Sequence, residues 1–227
     1  MILQIETATT SCSVALADAG EVIAYREINM RNVHAEVITL YIDELLKQGN
    51  YSYNDINAIA VSSGPGSYTG LRIGVSTAKG LCFALDKPLI AVDTLASMAS
   101  GLVSGTTLEK NTLLCPMIDA RRMEVYTAIY DQSGNQIKPI AAEIITTGSF
   151  ADVLRENKIA FFGDGAEKCR ELLDIHPNAI FIEEFTNSAR HLTKIAQNKF
   201  EKELFEDVAY FEPYYLKDFI AGKKAIS

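Results

Sequence analysis

Four turns in this 227-residue chain carry residues that handle anions. Glu6-Thr7-Ala8-Thr9-Thr10-Ser11 joins an acid to hydroxyls after a short apolar run. Such a mix wraps a phosphate when glycine lets the backbone come close, but this turn has no glycine. Its later counterpart, Asp119-Ala120-Arg121-Arg122, also lacks one. In SSGPGSYTGLRIG, residues 62–74, an apolar run gives way to a helix start. Pro65-Gly66 suits the centre of a type II turn, and the free N–H groups of a helix start attract anions. No GK[ST] follows, so this is not a P-loop. FFGDGAEKC, residues 161–169, forms the fourth turn, where Asp164 would repel phosphate. Glu6, Thr7, Gly64, Gly66, Asp119, Gly163 and Gly165 are thus the candidates for lining a nucleotide cleft. With both acid-led turns free of glycine, a nucleoside triphosphate would be held poorly, and no cofactor is expected.

Metal and nucleophile chemistry find less support. The three histidines, His34, His176 and His191, are never four residues apart, so no helix presents a paired-histidine metal site. There is no GxSxG elbow to seat a catalytic serine. The cysteines, Cys12, Cys82, Cys115 and Cys169, form no CxxC pair and lie in apolar segments. They read as reduced thiols of a cytoplasmic protein rather than a disulfide frame or a zinc site. The net charge of −8 and the scattered basic residues argue against strong independent nucleic-acid binding. The densest basic cluster is Lys223-Lys224. No apolar run approaches the ~20 residues of a membrane span, and the N-terminus lacks the basic and apolar regions of a signal peptide.

The elements that must position these turns are written twice. ILQIETATTSCSVALAD, residues 2–18, and LLCPMIDARRMEVYTAIYD, residues 113–131, are both hairpin signatures followed by a further strand. Glu6 and Asp119, Asp18 and Asp131, Ala15 and Ala128, and Leu16 and Ile129 are all 113 positions apart. The first half continues with a helix (33–47), a strand (57–63), a helix (69–85) and a strand (88–92). The second repeats the order, with a helix from Phe150, a strand (159–163), a helix from Gly165, a strand near 179–182 and a last helix from Ser188 or Ala189. Three strands followed by alternating helix and strand predict an α/β fold, with two mixed sheets flanked by helices. This is the ribonuclease-H-like unit duplicated as in the actin-like ATPase fold. The expected division is a first lobe over 1–104, a second over 105–208 and a tail, 209–227, packing back on the first. The junction is expected near Gly101–Thr107.

SSGPGSYTGLRIGVSTAKGLCFALDKPLIAVDTLASMA, with IETATTSCSVAL before it and MIDARRMEVYTAIYD after it, resembles the TsaB (YeaZ) family. The members of that family are accessory proteins of bacterial tRNA threonylcarbamoyladenosine synthesis. The related catalytic subunit, TsaD, shares the GPG–helix–strand run and follows it with a His-x-x-x-His metal pair. Thr94 and Met98 stand where those histidines would be, and Thr and Met cannot replace two imidazoles at such a metal. The resemblance therefore implies a non-catalytic partner of a TsaD-like subunit, joined by a TsaE-like ATPase and meeting tRNA only within the complex. No catalytic residue carries over.

A partner face is also expected from periodicity. At ~100° per residue, Val33, Val37, Ile38, Leu40, Tyr41, Ile42, Leu45 and Leu46 cover an arc of roughly 240°, wider than one core-facing stripe needs. Gly70, Gly74 and Ala78 on the next helix permit close helix approach. The expected interface, with TsaD or in a homodimer, is thus Val33, Val37, Ile38, Tyr41, Ile42, Leu45, Gly70, Gly74 and Ala78. The competing reading is an independent small-molecule kinase or peptidase of the actin-like fold.

Overall fold

The computed structural model describes residues 1–217, so Lys223-Lys224 and the end of the expected tail lie outside the described residues. Strands β1 (Ile2–Glu6) and β4 (Ala58–Gly64) are almost wholly buried on both faces, which puts them in the middle of a sheet. β3 (Glu21–Asn29) alternates between exposed and half-buried residues, as an edge strand should. With β2 (Ser11–Asp18) and β5 (Leu89–Asp93) the order is β3-β2-β1-β4-β5. The β1–β2 and β2–β3 pairs are antiparallel, and β1–β4 and β4–β5 are parallel.

The second sheet repeats this order as β8-β7-β6-β9-β10. Its strands are β6 (Leu113–Asp119), β7 (Glu124–Tyr130), β8 (Gln136–Ile144), β9 (Ile159–Phe162) and β10 (Ala179–Phe181). Glu6 ends β1 and Asp119 ends β6, so the 113-residue spacing does mark duplicated hairpins.

The helices differ between the halves. The first has α1 (His34–Gly49), α2 (Tyr68–Leu85) and α3 (Thr94–Gly105). In the second, α4 (Ala151–Leu154) and α5 (Arg170–Leu173) are single turns, and a 3-10 turn, Ala189–Leu192, leads into α6 (Thr193–Glu201). The expected helices from Phe150 and Gly165 are thus much reduced.

Each half gives its last helix to the other. Leu95, Met98, Ala99 and Leu102 of α3 join a core with Leu114, Ile118, Ala128 and Phe162 of the second sheet. Leu192 and Ala196 pack on Ile2, Ala58, Ala60, Ile90 and Val92 of the first. The chain therefore returns to the first lobe from Ala189, before the expected tail. Within the expected junction, Gly101–Thr107, the helix continues to Gly105 and the connection begins at Thr106. Gly101 serves close packing there: a Cβ would collide with the ring of His191, which stacks on Phe185.

Beyond α6 the chain runs back along α2. Lys79 Nζ donates to the carbonyls of Ala209 and Phe211, and Tyr214 N–H donates to Ser63 O. Lys217 then pairs with Glu124 of β7, so this strap touches both lobes.

Two glycine substitutions should act in opposite directions. Gly101→Ala must displace a packed ring and should lower stability by roughly 1–3 kcal/mol. At Gly80, in mid-helix, an added Cβ meets nothing within 4 Å, so Gly80→Ala should raise it by up to about 1 kcal/mol. Thermal denaturation of the two variants tests both signs.

Candidate functional site

The β1–β2 turn lies at the root of the inter-lobe cleft. Glu6 is fully buried, and its Oε1 accepts from Ala8 N–H at 2.6 Å and from the Ser62 hydroxyl at 3.0 Å. Oε2 has no hydrogen-bond partner among the described residues, although the Asn187 amide faces the carboxyl. Burial dominates these hydrogen bonds and raises the Glu6 pKa from its ordinary 4.5 to about 7. Asp93, which caps α3 through Ala96 N–H and accepts from Tyr130 OH, is raised by burial to about 6. His191 is shifted the other way by burial, to about 4.

The glycines of the 62–74 turn are spent on the Glu6–Ser11 turn. A Cβ at Gly66 would collide with Ala8, one at Gly70 with the Thr7 carbonyl, and one at Gly74 with the Thr7 hydroxyl. The backbone of α2 thus lies directly on Thr7–Ala8, where a phosphate-wrapping turn would need open space. The α2 start is capped as well, since Ser67 Oγ accepts from Gly70 N–H and Ser67 N–H donates to Ala8 O. The type II turn is also corrected. Gly66 does not have a positive φ, whereas Gly64 does (113°), and the Tyr214 carbonyl fills the space beside it.

Thr94 and Met98 have structural duties. Thr94 Oγ1 accepts from Gly64 N–H at 3.1 Å, which ties β4 to the start of α3. Met98 is buried in the inter-lobe core, and its Cε lies against Gly163. Gly163 and Gly165 in turn lie on the end of β6, where side chains would strike Met117 O and the Ile118 backbone. Of the cleft candidates, only Gly163 lines the inter-lobe cavity, with Thr9, Ser11, Asn29, Asp164 and Asn187 among its neighbours. The cavity holds about 40 Å³, room for about three waters, whereas ligand pockets run to ~300 Å³ or more.

Asp119 sits apart from this cavity, at the open end of β6. It accepts from Arg121 N–H at 2.9 Å and pairs with Lys168. Arg121 and Arg122 both have positive φ, 69° and 53°, a conformation that costs non-glycine residues about 1–2 kcal/mol each.

The expected helical interface is largely inside the monomer. Ile38, Ile42, Leu45, Gly70, Gly74 and Ala78 are buried. The apolar arc of α1 is wide because the helix packs against β2, β3 and α2 together. Val33, Val37 and Tyr41 are half-buried. Periodicity missed the residue that stands out most on this side, Phe83 of α2, which is 87% exposed, with Leu40 of α1 at 59%. Gly80, one turn before Phe83, is exposed too. The signal available was an aromatic three residues after Gly80, a helix position with no side chain to pack.

Residues 27–225 match the family model described as TsaD, tRNA N6-adenosine threonylcarbamoyltransferase. The chain belongs to that family. Within it, the chain is 43% identical over 138 residues to the tRNA threonylcarbamoyladenosine biosynthesis protein TsaB of Escherichia coli K12, covering 60% of this chain and 57% of that protein. It is 29% identical over 176 residues to the TsaB of Bacillus subtilis 168, covering 76% and 75%. A crystal structure from Pseudomonas aeruginosa, described as an uncharacterized protein with similarity to peptidase YEAZ, superposes with a TM-score of 0.83 at 25% identity, over 95% of this chain and 99% of that one. These likenesses set the chain on the TsaB (YeaZ) branch, with the duplicated two-lobed architecture of the actin-like fold. The matches span from a little over half to three quarters of the two TsaB relatives. No helix among the described residues is long and apolar enough to cross a membrane.

The raised Glu6 pKa has a defined consequence. Folded Glu6 ionises near pH 7 and unfolded Glu6 near 4.5, so its contribution to stability is full below ~4.5 and is lost as pH rises through ~7. Glu6→Gln should therefore be more stable than wild type at pH 8, by up to roughly 3 kcal/mol. The gap should close toward pH 5. Urea unfolding at both pH values measures it, and a gap independent of pH would contradict the assignment.

Proposed function

We propose that the chain is a non-catalytic partner subunit of the complex that transfers threonylcarbamoyl to N6 of the adenosine next to the anticodon in tRNA. In this reading it binds and supports a TsaD-like catalytic subunit. A TsaE-like ATPase joins them, tRNA is met only within the complex, and the location is cytoplasmic. The observation that carries the reading is a pair of exposed apolar side chains on two packed helices, Leu40 of α1 and Phe83 of α2. Gly80 beside it keeps the surface low enough for another helix to approach closely. Family membership supplies the chemistry of the reaction. The structural duties of Thr94 and Met98, together with the closed Thr7–Ala8 turn, support the absence of catalysis in this chain.

The interface is narrower than the sequence suggested. It takes in the exposed Leu40, Gly80 and Phe83 and the half-buried Val33, Val37 and Tyr41. A second copy of this chain can use the same residues, so a homodimer would compete with the heterodimer.

Burial of a phenylalanine contributes about 1.5–3 kcal/mol. Phe83→Asp should accordingly weaken binding to the TsaD-like subunit at least ~10-fold, with little change in melting temperature. Leu45→Glu should instead unfold the monomer, because Leu45 is fully buried. Unchanged capture of the TsaD-like subunit by Phe83→Asp would overturn the interface. Equal product formation by the purified complex without this chain would overturn the function.

A further inference from the structure

The duplication gives the molecule two equivalent hairpin turns, and they have opposite fates. Thr7–Thr10 follows β1 and is closed by the glycine face of α2. Ala120–Met123 follows β6, and Arg121, Arg122 and Met123 at its tip are exposed. No long helix lies over it, since the counterpart of α2 is a single turn.

The charge at this tip is organised. Of the local carboxylates, Asp119 pairs with Lys168 and Glu124 with Lys217, while Asp164 accepts from Asp119 N–H. Lys168 also donates to the Glu124 carbonyl, holding both sides of the hairpin. Neither guanidinium makes a hydrogen bond or ion pair with the described residues, and Arg121 lies within electrostatic reach of the half-buried Tyr126 hydroxyl. Two uncompensated cations thus sit side by side on a chain whose net charge is −8.

The backbone makes this arrangement expensive. Two successive residues in the left-handed region favour glycine or asparagine, yet arginine fills both positions. Arg121 N–H bonds Asp119 Oδ1, Glu124 N–H bonds Arg121 O, and Ala120 N–H bonds Glu124 O. The turn is therefore fixed, with both long side chains projecting from a rigid base. Strain kept at an exposed position points to use outside the fold.

We infer that the Arg121–Arg122 turn is an RNA-backbone grip, with each guanidinium taking a phosphate oxygen. Planar guanidinium matches phosphate geometry. Two such contacts are too few for independent RNA binding by an acidic chain, but they add to the affinity of a larger assembly. The inference rests on the accessory-subunit reading, which brings an RNA substrate to the complex.

The test uses the complex with the TsaD-like subunit and a labelled RNA stem-loop carrying the anticodon arm. The double variant Arg121→Asn/Arg122→Gly keeps the turn and relieves its strain, so its melting temperature should be unchanged or higher. RNA affinity should fall roughly tenfold, and the slope of log K against log salt should become shallower by about 1.4–1.8. Complex formation with unchanged RNA affinity and slope would overturn the inference. So would a variant-sensitive affinity for ATP alone, or wild-type binding of polyglutamate as tight as that of RNA and lost in parallel. Sedimentation separates the two readings: chains that fail to associate remove the accessory reading and this inference with it, whereas associated chains without an RNA effect remove only the inference.

Discussion

The contact on which the rest of the structure depends is glycine against turn, where Gly66 and Gly70 meet the carbonyls of Ala8 and Thr7 and Gly74 meets the Thr7 side chain. No side chain fits between them, so α2 lies directly on the β1–β2 turn and its roll about its own axis is fixed. One side of the helix closes the turn that a nucleotide would require. Farther along the same helix, Gly80 and Phe83 reach the surface.

Much of the architecture was legible because strand hairpins and glycine turns leave local signatures. The repeat of Glu6 by Asp119 marks two topologically equivalent strand ends. Helix α3 was harder to read. Its sequence, TLASMASGLVSG, is buried on several sides between the lobes, so it lacks a polar face and the period that would reveal one. Gly101 looked like a flexible junction, yet it is needed by the His191 ring. The helical interface failed for a related reason. A wide apolar arc signals how many neighbours a helix has, and α1 finds most of its neighbours within its own lobe. Phe83 was hidden because an aromatic in an apolar helix looks like core.

The two halves have also divided their duties. The first keeps long helices and supplies surfaces, while the second keeps the sheet but reduces two helices to single turns. Thr94 and Met98 belong to the seam between the halves, with Thr94 holding Gly64 and Met98 lying against Gly163. Polar groups without partners gather near this seam, among them Glu6 Oε2, Ser11 Oγ and Asn187 Nδ2. The seam is therefore the part of the fold where electrostatics and packing are least well matched.

The exchange of last helices carries a consequence for how the protein is made. One face of the first sheet is covered by Leu192 and Ala196, which leave the ribosome only after nearly the whole second half. Until then Ile2, Ala58, Ala60, Ile90 and Val92 have no cover on that side. The N-terminal lobe cannot complete its core as it is synthesised, although domains commonly do so. Its closure waits on contacts nearly two hundred residues apart in sequence, such as Thr193 Oγ1 with Gln4 Oε1, and long-range closure of this kind slows folding. The two lobes therefore mature together, as a single kinetic unit.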